Sequence, residues 1–240
     1  MKLDVLVFGA HPDDAELGAG GTIAKCISEG KKVGIIDLTR GELGTRGTAE
    51  IRDTEAVNAA KILGVSIREN LEFADGFFIN DKAHQIAIIQ IIRKYQPDIV
   101  LCNAIDDRHI DHGKGSNLVS DSCFLSGLVK VDTKLIGDET WQNAWRPKQV
   151  YHYIQWKNIN PDFVVDVSDY IDKKMEAIVA YKSQFYDPNS AEPETPISSQ
   201  NFTESIRYRA KDLGRLVGVE YAEGFTVERH IAVKSLWDIC

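Results

Sequence analysis

The chain has no excess of positive charge and no long apolar run. Its 240 residues include 28 Lys and Arg against 36 Asp and Glu, which gives a formal net charge of -8. Because nucleic acids and anionic bilayers attract basic surfaces, this balance argues against both as partners. No apolar stretch approaches the ~20 residues of a spanning helix, and a secretory signal would need a longer run than residues 3–9. The sequence therefore predicts a cytoplasmic protein that binds neither nucleic acid nor membrane.

Paired cysteines are also lacking. The four cysteines (Cys26, Cys102, Cys123 and Cys240) are scattered and form no CxxC pair. In a reducing compartment this pattern is typical of small core residues, with Cys240 as an exposed tail thiol. The spacing argues against a disulfide framework.

Strand-like and helix-like segments alternate along the first half of the chain. Apolar runs typical of buried strands occupy 3–9, 32–39, 66–73 and 98–102. Helical patterns occupy 15–29, 48–63 and 83–95, the second beginning after Thr48 and ending at Gly64. This alternation predicts an α/β class protein with a Rossmann-like, doubly wound, mostly parallel sheet.

The second half of the sequence is less regular. We predict strands at 149–155 and 163–167, and an amphipathic helix at 169–185. A polar loop with three prolines follows at 186–200, and its length is typical of a lid or rim around a site. We expect a single domain over 1–240, with a regular core at 1–130 and a less regular part at 131–240.

The turn after the first strand has carboxylates where a nucleotide-binding fold has glycines. His11, Asp13, Asp14 and Glu16 occupy this turn, and the nearby glycines lie inside the next helix. Carboxylates repel a pyrophosphate and attract a cation, so the dinucleotide-binding interpretation fails. His11 and Asp14 can converge on one metal ion across a strand-to-helix turn. The simpler alternative is that Asp13 or Asp14 only caps the helix, but a second histidine cluster argues against it.

That second cluster follows the fourth strand, in the sequence DDRHIDHG at 106–113. The simplest assembly gives His11, Asp14 and His112 to a metal and leaves one position open for water. Asp13 then accepts the proton of the water, while His109, held as an imidazolium, stabilises the oxyanion or protonates the leaving amine. Asp111 or Asp106 orients His109. Spacing alone leaves open which histidine is the ligand and which the acid.

These motifs resemble those of the LmbE-like (PIG-L) N-deacetylases. The resemblance rests on HPDDAELG at 11–18 and HIDH at 109–112. Further stretches resemble the branch that makes bacillithiol: DLTRGELGTRGT at 37–48, EIRDTEA at 50–56, DRHIDHG at 107–113, AYKSQF at 180–185 and VGVEYAEGF at 217–225. The likeness therefore extends over most of the chain.

The resemblance implies a Rossmann-like zinc enzyme that acts on N-acetylglucosamine derivatives. It gives the zinc ligands as His11, Asp14 and His112, the general base as Asp13, and the group that stabilises the transition state as His109. It implies substrate contacts from Arg52, Arg108 and Glu42. The substrate is then N-acetylglucosaminyl malate, and the products are glucosaminyl malate and acetate. Zinc is the expected metal, with Fe²⁺ or another divalent first-row ion as alternatives, and a homo-oligomer is the expected assembly.

Two departures from the family pattern and three alternatives remain. Ile110 stands where several relatives have proline, and Phe202 lies where some relatives have a tyrosine near the site. We expect Trp156 and the other tryptophans to serve core or subunit contacts rather than a sugar platform. The alternative functions are deacetylation of another amino sugar such as diacetylchitobiose, hydrolysis of a thiol conjugate, and a non-catalytic module that binds a metal or nucleotide.

Overall fold

A seven-stranded sheet organises the fold, which a computed structural model describes over residues 1–239; Cys240 lies outside the described residues. The strands are β1 (Val5–Gly9), β2 (Val33–Thr39), β3 (Ile67–Phe73), β4 (Ile99–Cys102), β5 (Gln149–Tyr153), β6 (Phe163–Asp166) and β7 (Ala222–Val227). Their order is β3-β2-β1-β4-β5-β7-β6. β1 to β5 pair in parallel, and β7 is antiparallel to both of its neighbours. The mostly parallel sheet predicted from the sequence is confirmed.

Six α-helices pack on the two faces of this sheet: α1 (Asp14–Ser28), α2 (Ala49–Leu63), α3 (Lys82–Tyr95), α4 (Ile110–Ser126), α5 (Ile171–Val179) and α6 (Gln200–Val217). Two separate apolar cores result. One contains residues of α1, α2 and α5, and the other contains residues of α3 and α4. The sheet is therefore doubly wound, as in the Rossmann-like folds. Within residues 1–239, no helix is long and apolar enough to cross a membrane.

The predicted elements of the first half are confirmed to within two residues at each end. Thr48 accepts a hydrogen bond from the N–H of Ile51 at the start of α2, and Gly64 ends that helix with φ +85°. The predicted helix at 169–185 is too long, because α5 ends at Val179. Beyond it, the N–H of Ser183 donates to Glu55 and thereby draws the chain towards α2. The helices α4 and α6 were not predicted.

The order of the strands determines where a ligand can enter. β1 lies between β2 and β4, so the chain leaves β1 and β4 towards opposite faces of the sheet. In such sheets a crevice opens beyond the carboxyl ends of these two strands. The loops that carry His11 and His112 begin there.

Candidate active site

The histidines and Asp14 meet at the carboxyl ends of β1 and β4. The Asp14 carboxylate lies 3.5 Å from Nδ1 of His11 and 3.2 Å from Nε2 of His112. His109 adjoins them, with its ring centroid 4.5 Å from that of His11 and 5.3 Å from that of His112. One nitrogen from each of the three rings fits within a 4.8 Å cluster suited to a metal ion. The structure thus brings the two motifs together, although they are about a hundred residues apart in the sequence.

Carboxylates stand behind both outer histidines. Nδ1 of His112 lies 2.7 Å from Asp107, and Nε2 of His11 lies 3.1 Å from Asp75 and 3.5 Å from Asp111. The nitrogens that face Asp14 are therefore the ones left to bind a metal. A carboxylate on the other nitrogen fixes the tautomer and strengthens a histidine as a ligand.

This donor set fits a divalent first-row metal. Ligand atoms about 2.0–2.1 Å from a tetrahedral zinc ion lie roughly 3.3 Å apart, close to the distances from Asp14 to the two histidines. Although burial works against it, the carboxylates of Asp14 and Asp107 raise the pKa of His112 to about 9. His11 has its pKa raised as well, by Asp111, Asp14 and Asp75 against the effect of burial. The cluster thus has an excess of negative charge that a cation balances. His11, Asp14 and His112 would hold the ion, which would act as a Lewis acid on a carbonyl and activate water.

Asp13 is a buried carboxylate with no hydrogen-bond partner for its side chain among residues 1–239. It occupies the position before α1 but makes no capping bond, so the capping explanation of this residue is wrong. Its φ of 112° is unfavourable for a residue with a side chain, and such strain is typical of functional sites. Burial raises the pKa of Asp13 to about 7, although the charge of Arg52 opposes this shift. A carboxylate with that pKa is suited to accept a proton from water.

The ring of His109 is oriented by the start of α4. Its Nδ1 accepts a hydrogen bond from the N–H of Asp111 at 3.3 Å, which leaves the proton of a neutral ring on Nε2. Burial and the neighbouring His11 and His112 lower its pKa. This lower pKa disfavours the protonated ring that the sequence analysis expected for His109 in the resting site. A neutral His109 can still donate Nε2–H to a developing oxyanion.

Two buried amides hold the Asp14 carboxylate in place. Asn103, directly after β4, donates to Asp14 Oδ2 at 2.9 Å, and Gln155, after β5, donates to Asp14 Oδ1 at 2.5 Å. The N–H of His11 adds a third bond at 3.0 Å. Neither amide was predicted from the sequence, although both follow strands whose carboxyl ends face the site.

A cavity of about 480 Å³ opens above this cluster. Arg52, Arg108 and Arg209 line it, together with residues 194–197 of the expected rim loop. Arg52 is buried and donates to the side-chain carbonyl of Gln184, which in turn donates to the backbone of Arg46. Gly41 lies against the Arg52 guanidinium where no Cβ would fit. The cavity thus has a fixed guanidinium near Asp13.

Three residues expected at the site have other contacts. Glu42 is exposed and accepts a hydrogen bond from the N–H of Asp75, so it supports the loop behind His11 rather than the cavity. Asp106 is exposed and pairs with Lys157 at 2.8 Å. The Asp111 carboxylate faces His11 and accepts from the N–H of Gly76, so it does not orient His109 as expected.

Other residues contribute to the site without having been predicted. Asp107 supports His112 and Asp75 supports His11, and neither carboxylate was named in the sequence analysis. Trp156 lines the cavity instead of serving only the core, and it stacks on Phe202 at 5.2 Å between ring centroids. The signal that was missed for Asp75 is its place just after β3, at the same edge of the sheet.

Comparison with known proteins agrees with this geometry. The profile of the PIG-L family (GlcNAc-PI de-N-acetylase) matches residues 6–123, which contain both histidine motifs. The chain belongs to this family. The PIG-L fold also extends over the rest of the chain: the conserved protein TT1542 from Thermus thermophilus is 33% identical, with a TM-score of 0.86 and 98% of each chain covered.

Two of the curated relatives are named as deacetylases of amino sugars. Diacetylchitobiose deacetylase from Thermococcus kodakarensis is 29% identical over 92% of this chain and 81% of its own length. A probable N-acetyl-α-D-glucosaminyl L-malate deacetylase 2 from Bacillus cereus is also 29% identical, over 77% of this chain and 84% of its own length. Both names describe removal of an acetyl group from an amino sugar.

Proposed function

We propose that this chain is a zinc-dependent deacetylase of N-acetyl amino sugars, and that its substrate is N-acetylglucosaminyl malate. The products would be glucosaminyl malate and acetate. The observation that carries the proposal is the free, buried carboxylate of Asp13 beside a metal-ligand set. A protein that only stores or senses a metal has no use for a buried, unbonded carboxylate beside the ligands.

In the proposed reaction, Asp13, His109 and Arg52 have separate roles. Asp13 takes a proton from the attacking water and then delivers it to the leaving amine. His109 donates Nε2–H to the carbonyl oxygen as negative charge develops there. Arg52, held by Gln184, binds the sugar at the edge of the cavity. Bound zinc would supply the Lewis acid that makes an amide carbonyl open to attack at neutral pH.

Release of free amine from a panel of substrates tests this function. Zinc-loaded protein is incubated with N-acetylglucosaminyl malate, diacetylchitobiose, free N-acetylglucosamine and an N-acylated thiol conjugate. We expect the highest kcat/KM with the malate conjugate. A higher kcat/KM with diacetylchitobiose or the thiol conjugate would support the hydrolytic mechanism but contradict the proposed substrate. No release from any of them, with zinc bound, would support a non-catalytic metal-binding module.

The Asp13→Asn variant tests the chemistry independently of the substrate. The amide has the same shape but does not accept the proton, so we expect kcat to fall about 10²–10⁴-fold. Zinc content, measured on the same preparation, should stay at the wild-type level. Unchanged kcat would exclude Asp13 as the base.

We also propose a homo-oligomer as the active form. Phe77 and Ile79 lie beside the loop that supports His11 and are 76% and 57% exposed, respectively. Light scattering of the zinc-loaded protein tests this, and a monomer at assay concentrations would contradict it.

A further inference from the structure

Two arginines at the wall of the cavity lack a carboxylate partner. Arg108 places its guanidinium 4.6 Å from the centre of the Trp156 ring, and Arg209, on α6, donates from Nη2 to the Trp156 carbonyl at 2.5 Å. Both line the cavity. Across the described part of the chain, no carboxylate lies within ion-pairing distance of either side chain.

Arg209 differs in this respect from its neighbours on the same helix. Arg207 pairs with Asp172 at 2.6 Å, and Arg215 pairs with Asp212 at 2.8 Å. In Arg209, Nε is buried and has no hydrogen-bond acceptor among residues 1–239. A buried N–H without an acceptor destabilises a protein, unless a ligand supplies the acceptor.

Asp107 fixes this pair of arginines relative to the metal-ligand set. Its carboxylate contacts Nδ1 of His112 and also accepts from the N–H groups of Trp156 and Lys157, at 3.2 and 2.9 Å. Trp156 then carries both arginines, one over its ring and the other on its carbonyl. A group bound between Arg108 and Arg209 is therefore held in a defined position relative to His112.

The acids that line the cavity do not neutralise these two guanidinium groups. Asp14 is a metal ligand and Asp13 is the proposed base beside it. Asp75 contacts His11 at 3.1 Å, and Glu223 is paired with Lys174 at 2.6 Å. Glu194 lies on the exposed rim loop. The cavity thus presents two guanidinium groups, joined through Trp156, to whatever enters it.

We propose that Arg209 and Arg108 form an anion subsite that binds a carboxylate on the aglycone of the substrate, with Arg209 as the residue that selects it. The proposal rests on the proposed function, because it places the acetamido group of the same molecule at the metal-ligand cluster. A carboxylate accepts two hydrogen bonds from the fork of an arginine, and Nε is one of the two donors in that fork. Neutral sugars lack this acceptor.

Kinetics with a charged and a neutral substrate test the subsite. The substrates are N-acetylglucosaminyl malate and the methyl glycoside of N-acetylglucosamine. For Arg209→Gln we expect KM for the malate conjugate to rise about tenfold or more, since a charge-assisted hydrogen bond is lost. The value of kcat for the malate conjugate and both constants for the methyl glycoside should stay within about twofold.

Two further variants separate recognition from general damage. Arg215→Gln removes an arginine from the same helix on its exposed side, and it should leave KM for both substrates unchanged. Arg209→Lys keeps the charge but not the fork, so it should recover only part of the affinity for the malate conjugate. Equal losses of Arg209→Gln on both substrates, or no loss on either, would overturn the proposal.

Direct binding keeps this test independent of catalysis. Calorimetry with glucosaminyl malate and with glucosamine measures affinity whether or not the chain hydrolyses an amide. We expect the malate compound to bind more tightly to the wild type, and Arg209→Gln to remove that difference. A preference that persists in the variant would overturn the subsite. If the wild type releases no amine but binds glucosaminyl malate more tightly than glucosamine, and Arg209→Gln loses this preference, the deacetylase function is refuted and the anion subsite is supported.

Discussion

Asp107 connects a histidine of the candidate metal site to the wall of the cavity. Its two oxygens accept from the backbone N–H groups of Arg108, Trp156 and Lys157 and lie against His112. These contacts, against the effect of burial, lower the pKa of its carboxyl, so Asp107 is ionised at neutral pH. The charge of Asp107 therefore strengthens His112 as a ligand while the same residue positions the wall of the cavity.

Substitution of this carboxylate should weaken metal binding. For Asp107→Asn we expect the affinity for zinc to fall about 10–100-fold, because the outer nitrogen of His112 loses its anionic partner. Competition with a chromophoric chelator measures the affinity. Asp106→Asn is the matched control, since the neighbouring carboxylate is exposed and paired with Lys157. Equal zinc affinity in the two variants would contradict this role for Asp107.

The sequence identifies the histidines of the site better than the carboxylates that support them. His11, Asp14 and His112 stand out because they lie in two short motifs that each follow a strand. In the segment DDRHIDHG, by contrast, each of three aspartates lies within three residues of a histidine. Which carboxylate faces which ring depends on how the loop folds before α4, and on a contact with residues 156–157 that no local pattern reveals.

At the scale of elements, α1 approaches β5 closely enough to require a glycine. A Cβ on Gly18 would lie 2.0 Å from the ring of Tyr153, whose hydroxyl donates to the carbonyl of Phe8 in β1. The ring cannot move away without losing that hydrogen bond. This packing sets the position of α1, whose first turn contains Asp14.

We therefore expect Gly18→Ala to destabilise the fold by about 1–3 kcal/mol, the usual cost of overpacking. Urea unfolding measures the change. Gly113→Ala is the control: it also replaces a helical glycine, but its Cβ would meet only the carbonyl oxygen of Ile105, at an ordinary 3.4 Å. A Gly18 variant as stable as the control would mean that α1 and Tyr153 adjust without cost.

A buried ion pair between Lys174 and Glu223 joins α5, β7 and α1. Lys174 of α5 donates to Glu223 of β7 at 2.6 Å, and the same carboxylate accepts from the N–H groups of Gly21 and Thr22 in α1. Both side chains are almost completely buried. Such a pair stabilises little relative to apolar residues, but the loss of one partner leaves an uncompensated charge.

For Lys174→Met we expect a loss of about 3–5 kcal/mol in the free energy of unfolding. The double variant Lys174→Met with Glu223→Gln should recover part of this loss, because the remaining amide is neutral and can still accept from α1. Denaturant unfolding of both variants at one pH measures the coupling. A double variant less stable than the single one would show that the Glu223 charge is needed without its partner.

Helix α6 shows why the second half of the fold was harder to predict. Most of its residues are polar, and its apolar side is narrow, consisting mainly of Phe202, Ile206, Ala210 and Leu213. These four residues line the cavity, and Ile206 and Phe202 also pack against the core that contains residues of α1, α2 and α5. The first half alternates buried apolar strands with helices, so its hydrophobic periodicity is easy to recognise. The apolar residues of α6 are few and face the cavity, so the sequence alone gives only a weak helical signal there.

At the scale of the whole molecule, the buried His152 of β5 joins α4, the end of β4 and the segment after β7. Its Nδ1 lies 2.8 Å from Ser116 of α4 and 3.2 Å from the carbonyl of Asn103, and its Nε2 lies 3.1 Å from Glu228, just beyond β7. Burial opposes the charged ring, but Cys102 and Glu228 outweigh it and raise the pKa of His152 to about 11. His152 is only 4% exposed, so it is a packed residue of the fold.

This raised pKa gives the stability of the whole fold an alkaline dependence. The pKa of histidine in the unfolded chain is about 6.5, so the imidazolium stabilises the native state fully below that pH. The contribution should decrease as the pH rises from there towards the folded pKa of about 11, because the native state then binds the proton that the unfolded state has released. Urea unfolding of the wild type and of His152→Gln, from about pH 7 to about pH 10, measures it. At about pH 7 we expect the wild type to have a larger free energy of unfolding than His152→Gln. The difference between the two proteins should shrink steadily towards about pH 10. A difference that stays constant over this range would mean that His152 is neutral in the folded protein and acts through packing alone.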